Sequence, residues 1–406
     1  MIRFAGLIAS NAASSIVAML LTIVIGRQGG PALLGVFSVC FAAMAFIDLF
    51  AREIGVNRAL LHASNATIRQ QAFSRALLVS LSVAVLVAGA GWVMSAPIVL
   101  AMSPVVPGYV CYNYLRLWAV SDGQIRKGLT ADVVQLTLVC AGSAAAIVGN
   151  VPVVWVVLCW AAGLWLSAVM LAYQVRLRFI PRWPASEQGV ATGTHFGVQV
   201  LIGNGSVHVM TFILAAVTHT AVLGAIRGAS TVFGPINLIS TSVSTLAIRQ
   251  IADGKEEDRA KHMLYWFAVP TGLALLLVGA MLVLSVFFGE LILGRSWDAV
   301  QPLLIWAGLD VIVVATMSAV HAVHRVDGRA RELMRISVIG AVARLTVVPA
   351  LAWSMGAQGA IIAILVVSII VSLGTWLSYW GYRKQDQAQA RSTQPREEGS
   401  ADAGRR

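Results

Sequence analysis

The fold of this chain is decided by its first stretch, residues 2–64: IRFAGLIASNAASSIVAMLLTIVIGRQGGPALLGVFSVCFAAMAFIDLFAREIGVNRALLHAS. The apolar run from Phe4 to Ile25 is long enough to cross a bilayer, which takes about 20 helical residues. A short break rich in glycine follows, and a second apolar run extends from Leu33 to about Phe50. The stretch therefore predicts a helical hairpin that crosses a membrane twice, and the same pattern recurs along the chain.

Composition places the whole chain in a membrane. It has 406 residues, of which 58% are hydrophobic and only 12% are charged, and its mean hydropathy is +0.80. Soluble domains are typically about 45–50% apolar and about 25% charged. The first apolar run is longer than the core of a signal peptide and leads directly into a second run, so we interpret it as a retained span.

Composition also argues against two kinds of partner. The net charge of +11 could indicate nucleic acid, but no basic cluster is interleaved with base-stacking aromatic residues, so we expect no nucleic-acid partner. The four cysteines all fall inside apolar runs and show no spacing typical of metal ligands. We therefore expect no bound metal and no cofactor.

We predict an all-α polytopic membrane protein with twelve spans. The fourth span contains Pro97, Pro104 and Pro107, which should kink or break its helix. The predicted span cores are Phe4–Ile25, Leu33–Phe50, Phe73–Met94, Ile98–Val120, Val133–Val148, Val151–Tyr173, Phe196–Val217, Ala221–Ile248, Met263–Phe288, Leu303–Val323, Ile336–Met355 and Ala360–Tyr382.

The basic residues sort strongly between the two sides of this topology. Of the 29 lysines and arginines, 25 fall on the side that holds both chain ends, and only Arg27 and Arg295 fall on the other. Arg227 and Arg344 lie inside spans. Because cytoplasmic loops are enriched in basic residues, we predict that both termini are cytoplasmic.

The two halves of the chain look like copies of one unit. Leu34-Gly35 after the first span matches Leu223-Gly224 after the seventh, and Asp122-Gly123 after the fourth matches Asp327-Gly328 after the tenth. The repeat is parallel, which predicts a pseudo-twofold axis along the membrane normal. The predicted units are a six-helix lobe over residues 1–180, a cytoplasmic linker over 181–195, a second six-helix lobe over 196–382, and a disordered cytoplasmic tail over 383–406.

Four segments of the chain stand out as possible family landmarks. They are GRQGGPALLGVFSV (Gly26–Val39), AVLGAIRGASTVFGPINLISTSVSTLAIRQI (Ala221–Ile251), FGELILGRSWDAVQPLLIWAGL (Phe288–Leu309) and MGAQGAIIAILV (Met355–Val366). These segments resemble, in the same order, landmark segments of the Wzx-type polysaccharide transporter group. This group comprises the bacterial flippases of lipid-linked oligosaccharides, within the multidrug/oligosaccharidyl-lipid/polysaccharide (MOP) superfamily.

The resemblance implies a two-lobed transporter with a MATE-like fold in the bacterial inner (cytoplasmic) membrane. Its substrate would be undecaprenyl-diphosphate-linked saccharide, moved from the cytoplasmic to the periplasmic leaflet by alternating access for cell-surface polysaccharide (exopolysaccharide or O-antigen) biosynthesis. Implied partners are this lipid-linked glycan, the membrane lipids, and the polysaccharide polymerase and export machinery.

A flippase of this kind needs cationic side chains to meet the diphosphate inside the membrane. Arg227 lies in the eighth span between Gly224 and Gly228, and we predict that it contacts the diphosphate or sugar, the alternative being snorkelling to the interface. Arg344 and Asp310 lie near the middle of spans eleven and ten, where they either pair with each other or line the substrate path. Asp48 either pairs with Arg52 or takes part in transport or its coupling to an ion.

Polar residues also recur in matching helices of the two halves. Asn11 and Ser15 in the first span, and Asn204 and His208 in the seventh, are each spaced four residues apart and so share a helix face. They either line a substrate groove between the lobes or join helices by hydrogen bonds. Pro235 should bend the eighth helix and is a candidate hinge for alternating access.

Two other functions compete with this hypothesis. A membrane enzyme acting on lipid-linked glycans is disfavoured, because the outer loops hold few polar residues and no catalytic or phosphate-cradling motif is present. A multidrug or cation exporter of the same superfamily would share the fold. The two arginines inside spans favour an anionic substrate instead.

Overall fold

The structure is a computed structural model that describes residues 2–51, 66–181, 202, 205–236, 259–327 and 329–393. Within these ranges the backbone is helical or in short connections and contains no strand. The first half consists of α1 (Ile2–Ala51), α2 (Ala66–Val93), α3 (Pro97–Met102), α4 (Val105–Ser121), α5 (Ile125–Gly149) and α6 (Val153–Val175).

The second half follows the same plan. Its helices are α7 (Ser206–Val217), α8 (Thr220–Val232), α9 (Arg259–Leu293), α10 (Trp297–Val300), α11 (Leu304–Val326) and α12 (Ala330–Thr393). Two single turns of 3₁₀-helix, Gly294–Ser296 and Gln301–Leu303, flank the short helix α10.

Seven helical stretches in the described part of the chain are long and apolar enough to cross a membrane. Three of them are long enough for two crossings: Ala13–Ala51 with 39 residues, Met263–His324 with 62 and Arg331–Tyr382 with 52. The shorter apolar helix α7 lies in the predicted seventh span, and α8 lies at the start of the predicted eighth span. The predicted all-α fold with twelve spans in two lobes is therefore confirmed.

Glycines in a left-handed conformation break the two longest helices. Gly30 in α1 has φ 68°, and Gly356 in α12 has φ 62°, so each separates two consecutive predicted spans. Only glycine adopts these angles without a steric cost from Cβ. The glycine-rich break after the first apolar run thus coincides with the interruption of α1 at Gly30, and Gly356 interrupts α12 in the same way.

Prolines shape two further spans. The fourth span is divided between α3 and α4, with Pro97 beginning α3 and Pro104 in the break between them, as predicted. The eighth span is interrupted at Phe233, directly before Gly234 and Pro235. A bend therefore lies where Pro235 predicted it, while its use as a hinge stays a prediction.

The last helix is longer than the sequence suggested. We predicted disorder from residue 383 onward, but α12 continues to Thr393. The segment 383–393 contains several good helix formers, and it extends an existing helix and so needs no new nucleus. The rest of the predicted tail, and nearly all of the predicted linker, lie outside the described residues.

The buried apolar side chains divide along the same line as the sequence repeat. One large cluster draws only on residues between Val17 and Ala172 and is centred on Trp118 and Trp160. The clusters of the second half draw their buried residues from between Met210 and Tyr382. Each half thus packs around its own core, although the exact domain boundaries stay predictions.

The two halves meet where α1 crosses α8. A Cβ atom added to Gly35 would lie 1.7 Å from the carbonyl oxygen of Thr220, and one added to Gly224 would lie 1.8 Å from that of Pro31. These two glycines belong to the matching pairs Leu34-Gly35 and Leu223-Gly224 of the repeat. The helices therefore pack backbone against backbone, each through the corresponding glycine of the repeat.

Hydrogen bonds close the same end of the molecule, which we call the closed end (residues 26–35, 218–224 and 291–296). Arg27 donates to the carbonyl of Leu291, and Arg295 donates to that of Gln28 at 3.2 Å. Ser296 donates to the carbonyl of Gly26 at 2.8 Å. The loop between the first two spans is thus joined to the loop after α9, across the two halves.

A buried ion pair lies inside the first half. The Arg116 guanidinium on α4 is 3.2 Å from the carboxylate of Asp132 on α5, which is 1% exposed, and the Tyr112 hydroxyl also donates to that carboxylate. The sequence analysis did not select Asp132. The pair joins the neighbouring helices α4 and α5.

We predict that Gly35→Ala destabilises the protein by about 1–3 kcal/mol, because the new methyl group collides with the backbone of α8. The measurement is the thermal unfolding temperature of the detergent-solubilised protein. Gly279→Ala is the matched control, since a Cβ at Gly279 meets nothing within 4 Å. Equal unfolding temperatures for the two variants would contradict the close helix contact.

We predict that Arg116→Ala destabilises the protein by about 3–5 kcal/mol, because it leaves the buried Asp132 carboxylate without its cation. Glu332→Gln is the control, since the half-exposed pair of Arg329 and Glu332 is 4.0 Å apart and should contribute about 0–1 kcal/mol. The same unfolding measurement checks both variants. If Arg116→Ala is no worse than the control, the pair does not hold these spans together.

Candidate functional site

Arg227 lies on α8, one helical turn beyond Gly224. Its guanidinium carbon is 4.2 Å from the centre of the Phe41 ring, which α1 contributes. A cation over an aromatic face is attracted by the negative face of the ring. The contact spans the two halves of the protein, because Arg227 belongs to the second half and Phe41 to the first.

A cluster of aromatic side chains supports the Phe41 ring. Trp160 stacks against it with centroids 6.3 Å apart and ring planes 13° apart. Phe37 and Tyr109 pack against the same Trp160 at 6.4 and 6.3 Å. Trp160 and Phe37 are fully buried, whereas Phe41 and Tyr109 are partly exposed. The Phe41 ring that contacts the guanidinium is therefore itself packed against the buried Trp160.

Arg227 forms no salt bridge with any carboxylate of the described residues. Its Nε is buried and has no hydrogen-bond partner there. Tyr109 and His208 are near enough to interact with it electrostatically. A charged side chain within a span costs about 2.5–3.5 kcal/mol and is normally kept for a partner or a ligand. Arg227 thus combines a positive charge with unused hydrogen-bond donors.

Helix α7 runs between the two arginines of the predicted site. His208 interacts with Arg227, and Ser206 on the same helix accepts a long hydrogen bond of 3.5 Å from Arg344 on α12. His208 is partly buried and Ser206 is buried. Arg227, His208 and Arg344 therefore lie around one helix, and their role in binding a substrate stays a prediction.

Asp310 on α11 and Arg344 interact electrostatically. Neither forms a direct salt bridge with any described residue. The buried Oδ1 of Asp310 has no hydrogen-bond partner among the described residues, and Arg344 donates to Ser206. The negative charge of Asp310 offsets the positive charge of Arg344 only at a distance, so Arg344 keeps donors for other groups.

The structure describes only some of the other predicted site residues. Asp48 is buried in α1 with 3% exposure, but Arg52, its proposed partner, lies outside the described residues. Ser15 is partly buried in α1. Asn204 and the side chain of Asn11 fall outside the described part, so the proposed polar faces stay predictions.

The sequence did not point to Phe41, which contacts the guanidinium of Arg227, or to Trp160, which packs on Phe41. Both lie in uninterrupted apolar runs, where nothing in the spacing distinguishes a site residue from a lipid-facing one. It also missed Asp132, although Tyr112 and Arg116, spaced four residues apart, signalled a polar face on α4.

No protein-family model and no curated protein matches the sequence. Solved structures do match it along nearly its whole length. One is described as the lipid II flippase MurJ in an inward closed conformation. It has a TM-score of 0.74 and 12% identity, over 93% of this chain and 87% of that one.

Two others are multidrug resistance MATE family transporters of the MOP superfamily. The inward-facing one has a TM-score of 0.68 at 14% identity, over 94% of this chain and 96% of that one. The outward-facing one has a TM-score of 0.54 at 14% identity, over 97% and 96%. At these identities the likeness establishes the fold. The chain therefore has the twelve-helix fold of the MOP superfamily transporters.

Proposed function

We propose that this protein is a flippase for a saccharide linked to an isoprenoid diphosphate, of the undecaprenyl-diphosphate type. The observation that carries the proposal is Arg227, a cation inside a span that forms no salt bridge with the described carboxylates. An unpaired cation there is costly unless a ligand supplies the negative charge.

The chemistry of the guanidinium favours a phosphate-containing head group. Arginine presents its N–H donors in a flat fork that matches two phosphate oxygens at once. Arg344 adds a second guanidinium on the other side of α7, only distantly offset by Asp310. Two such cations around one helix suit a diphosphate, which carries more than one negative charge.

Neutral polar groups beside the arginines suit the saccharide. His208 and Ser206 lie on α7 next to the two cations and can exchange hydrogen bonds with sugar hydroxyls. Asn11, Ser15 and Asn204 are proposed to extend this polar surface. The isoprenoid chain would stay in the bilayer, because lipid already solvates it.

The direction of transport follows from the basic residues and the closed end. The side with 25 of the 29 lysines and arginines is proposed to be cytoplasmic, with both termini there and the closed end facing the periplasm. The described conformation then faces inward and receives substrate from the cytoplasmic leaflet. The higher TM-scores of the inward-titled structures support this assignment.

The superfamily's other transport activity, export of cationic drugs, is disfavoured by the same residue. An organic cation entering this site would meet the positive charge of Arg227 with no salt-bridged carboxylate beside it. Like charges repel more strongly in a poorly polarisable interior than in water. The experiment below therefore includes a cationic substrate.

We predict that Arg227→Gln reduces flipping of a fluorescent saccharide on an isoprenoid diphosphate by at least about tenfold, because it removes a charge-assisted contact of about 1.5–3 kcal/mol. The assay follows loss of fluorescence to an impermeant quencher in proteoliposomes, with and without a proton or sodium gradient. Arg335→Gln, at an exposed arginine, is the control and should keep the wild-type rate.

Flipping rates are compared only for variants whose unfolding temperature and size-exclusion elution profile match those of the wild type. An unchanged rate for Arg227→Gln would refute the proposed role. Wild-type protein that moves a fluorescent organic cation but not the diphosphate would make the chain a drug exporter instead.

A further inference from the structure

Arg227 contacts Phe41 and keeps its hydrogen-bond donors. Its guanidinium carbon lies over the Phe41 ring, 4.2 Å from the ring centre. A guanidinium carries five N–H donors, and a phenylalanine side chain has no oxygen or nitrogen acceptor for them. The buried Nε of Arg227 has no hydrogen-bond partner among the described residues.

We propose that Phe41 is a positioning residue for the diphosphate, acting through Arg227. This inference rests on the proposed function and adds a residue to its site. Phe41 holds the guanidinium in place by the cation–π contact, so that its N–H donors are presented to the phosphate oxygens before the substrate arrives. Preorganised donors bind more tightly because less side-chain freedom is lost on binding.

The surroundings of Phe41 suit this role better than ordinary packing. Trp160 stacks on the Phe41 ring, nearly parallel, and Phe37 packs beside both. The ring is partly exposed, and Arg227 of α8 contacts it. A leucine could fill the same space, but it has no negatively charged face with which to attract the guanidinium.

The test measures binding of farnesyl diphosphate, a soluble isoprenoid diphosphate, to the purified full chain by calorimetry. Phe41→Leu should weaken binding by roughly 3- to 30-fold, the range expected for loss of a cation–π contact. Phe41→Tyr should bind within about twofold of wild type, because it keeps the ring. Phe287→Leu, at an exposed phenylalanine, is the matched control and should change nothing.

A double-mutant cycle separates positioning from packing. If Phe41 acts through Arg227, Phe41→Leu should have no further effect on affinity once Arg227→Gln is present. Farnesol, which lacks the charge, should bind equally to all variants. An equal loss with and without Arg227, or a loss for farnesol as well, would overturn the positioning role.

The outcomes for the two proposals are distinguishable. If Arg227→Gln weakens farnesyl diphosphate binding while Phe41→Leu does not, the positioning role fails and the proposed function stands. If Arg227→Gln itself leaves binding unchanged, the proposed function fails. Thermal unfolding of each variant shows that the loss is one of binding, and Phe41→Tyr provides a second test should Phe41→Leu unfold.

Discussion

The contact between Gly35 and Gly224 sets the geometry on which the candidate site depends. Helices that pack backbone against backbone leave no room for adjustment, so their relative register is determined at this point. Arg227 follows Gly224 by one turn, and Phe41 follows Gly35 by nearly two. The guanidinium meets the aromatic ring because the two glycines bring these stretches side by side. A separation of the halves at the closed end would change this contact first.

Charge compensation distinguishes Arg227 from two other arginines within spans, Arg116 and Arg344. Arg116 has Asp132 at 3.2 Å, and Arg344 interacts with Asp310. Arg227 has an aromatic face in place of a carboxylate. A phenylalanine stabilises the cation without neutralising it, so the positive charge remains available to an anionic ligand. This difference carries both the proposed substrate class and the role assigned to Phe41.

The sequence predicted those features that depend on local chemistry. The lengths of the apolar runs predicted the spans, and Pro97 and Pro104 predicted the division of the fourth. The matching Leu-Gly pairs predicted the repeat, but not that their glycines would form the contact between the halves. Arg227 stood out because a charge within an apolar run is rare. Phe41 and Asp132 did not stand out, because the residues that they contact are distant along the chain. An aromatic residue within an apolar run, or an aspartate at the end of one, is not distinguished by its neighbours in sequence. The helix over 383–393 was missed because polar composition was taken for disorder.

The central claim is that Arg227 binds the diphosphate of the substrate inside the membrane. The most direct test is an experimental structure of the protein with undecaprenyl diphosphate bound. The account predicts the diphosphate within hydrogen-bond distance of the Arg227 guanidinium, beside α7, with Phe41 still in contact with that group. A diphosphate bound elsewhere, with the donors of Arg227 unused, would contradict it.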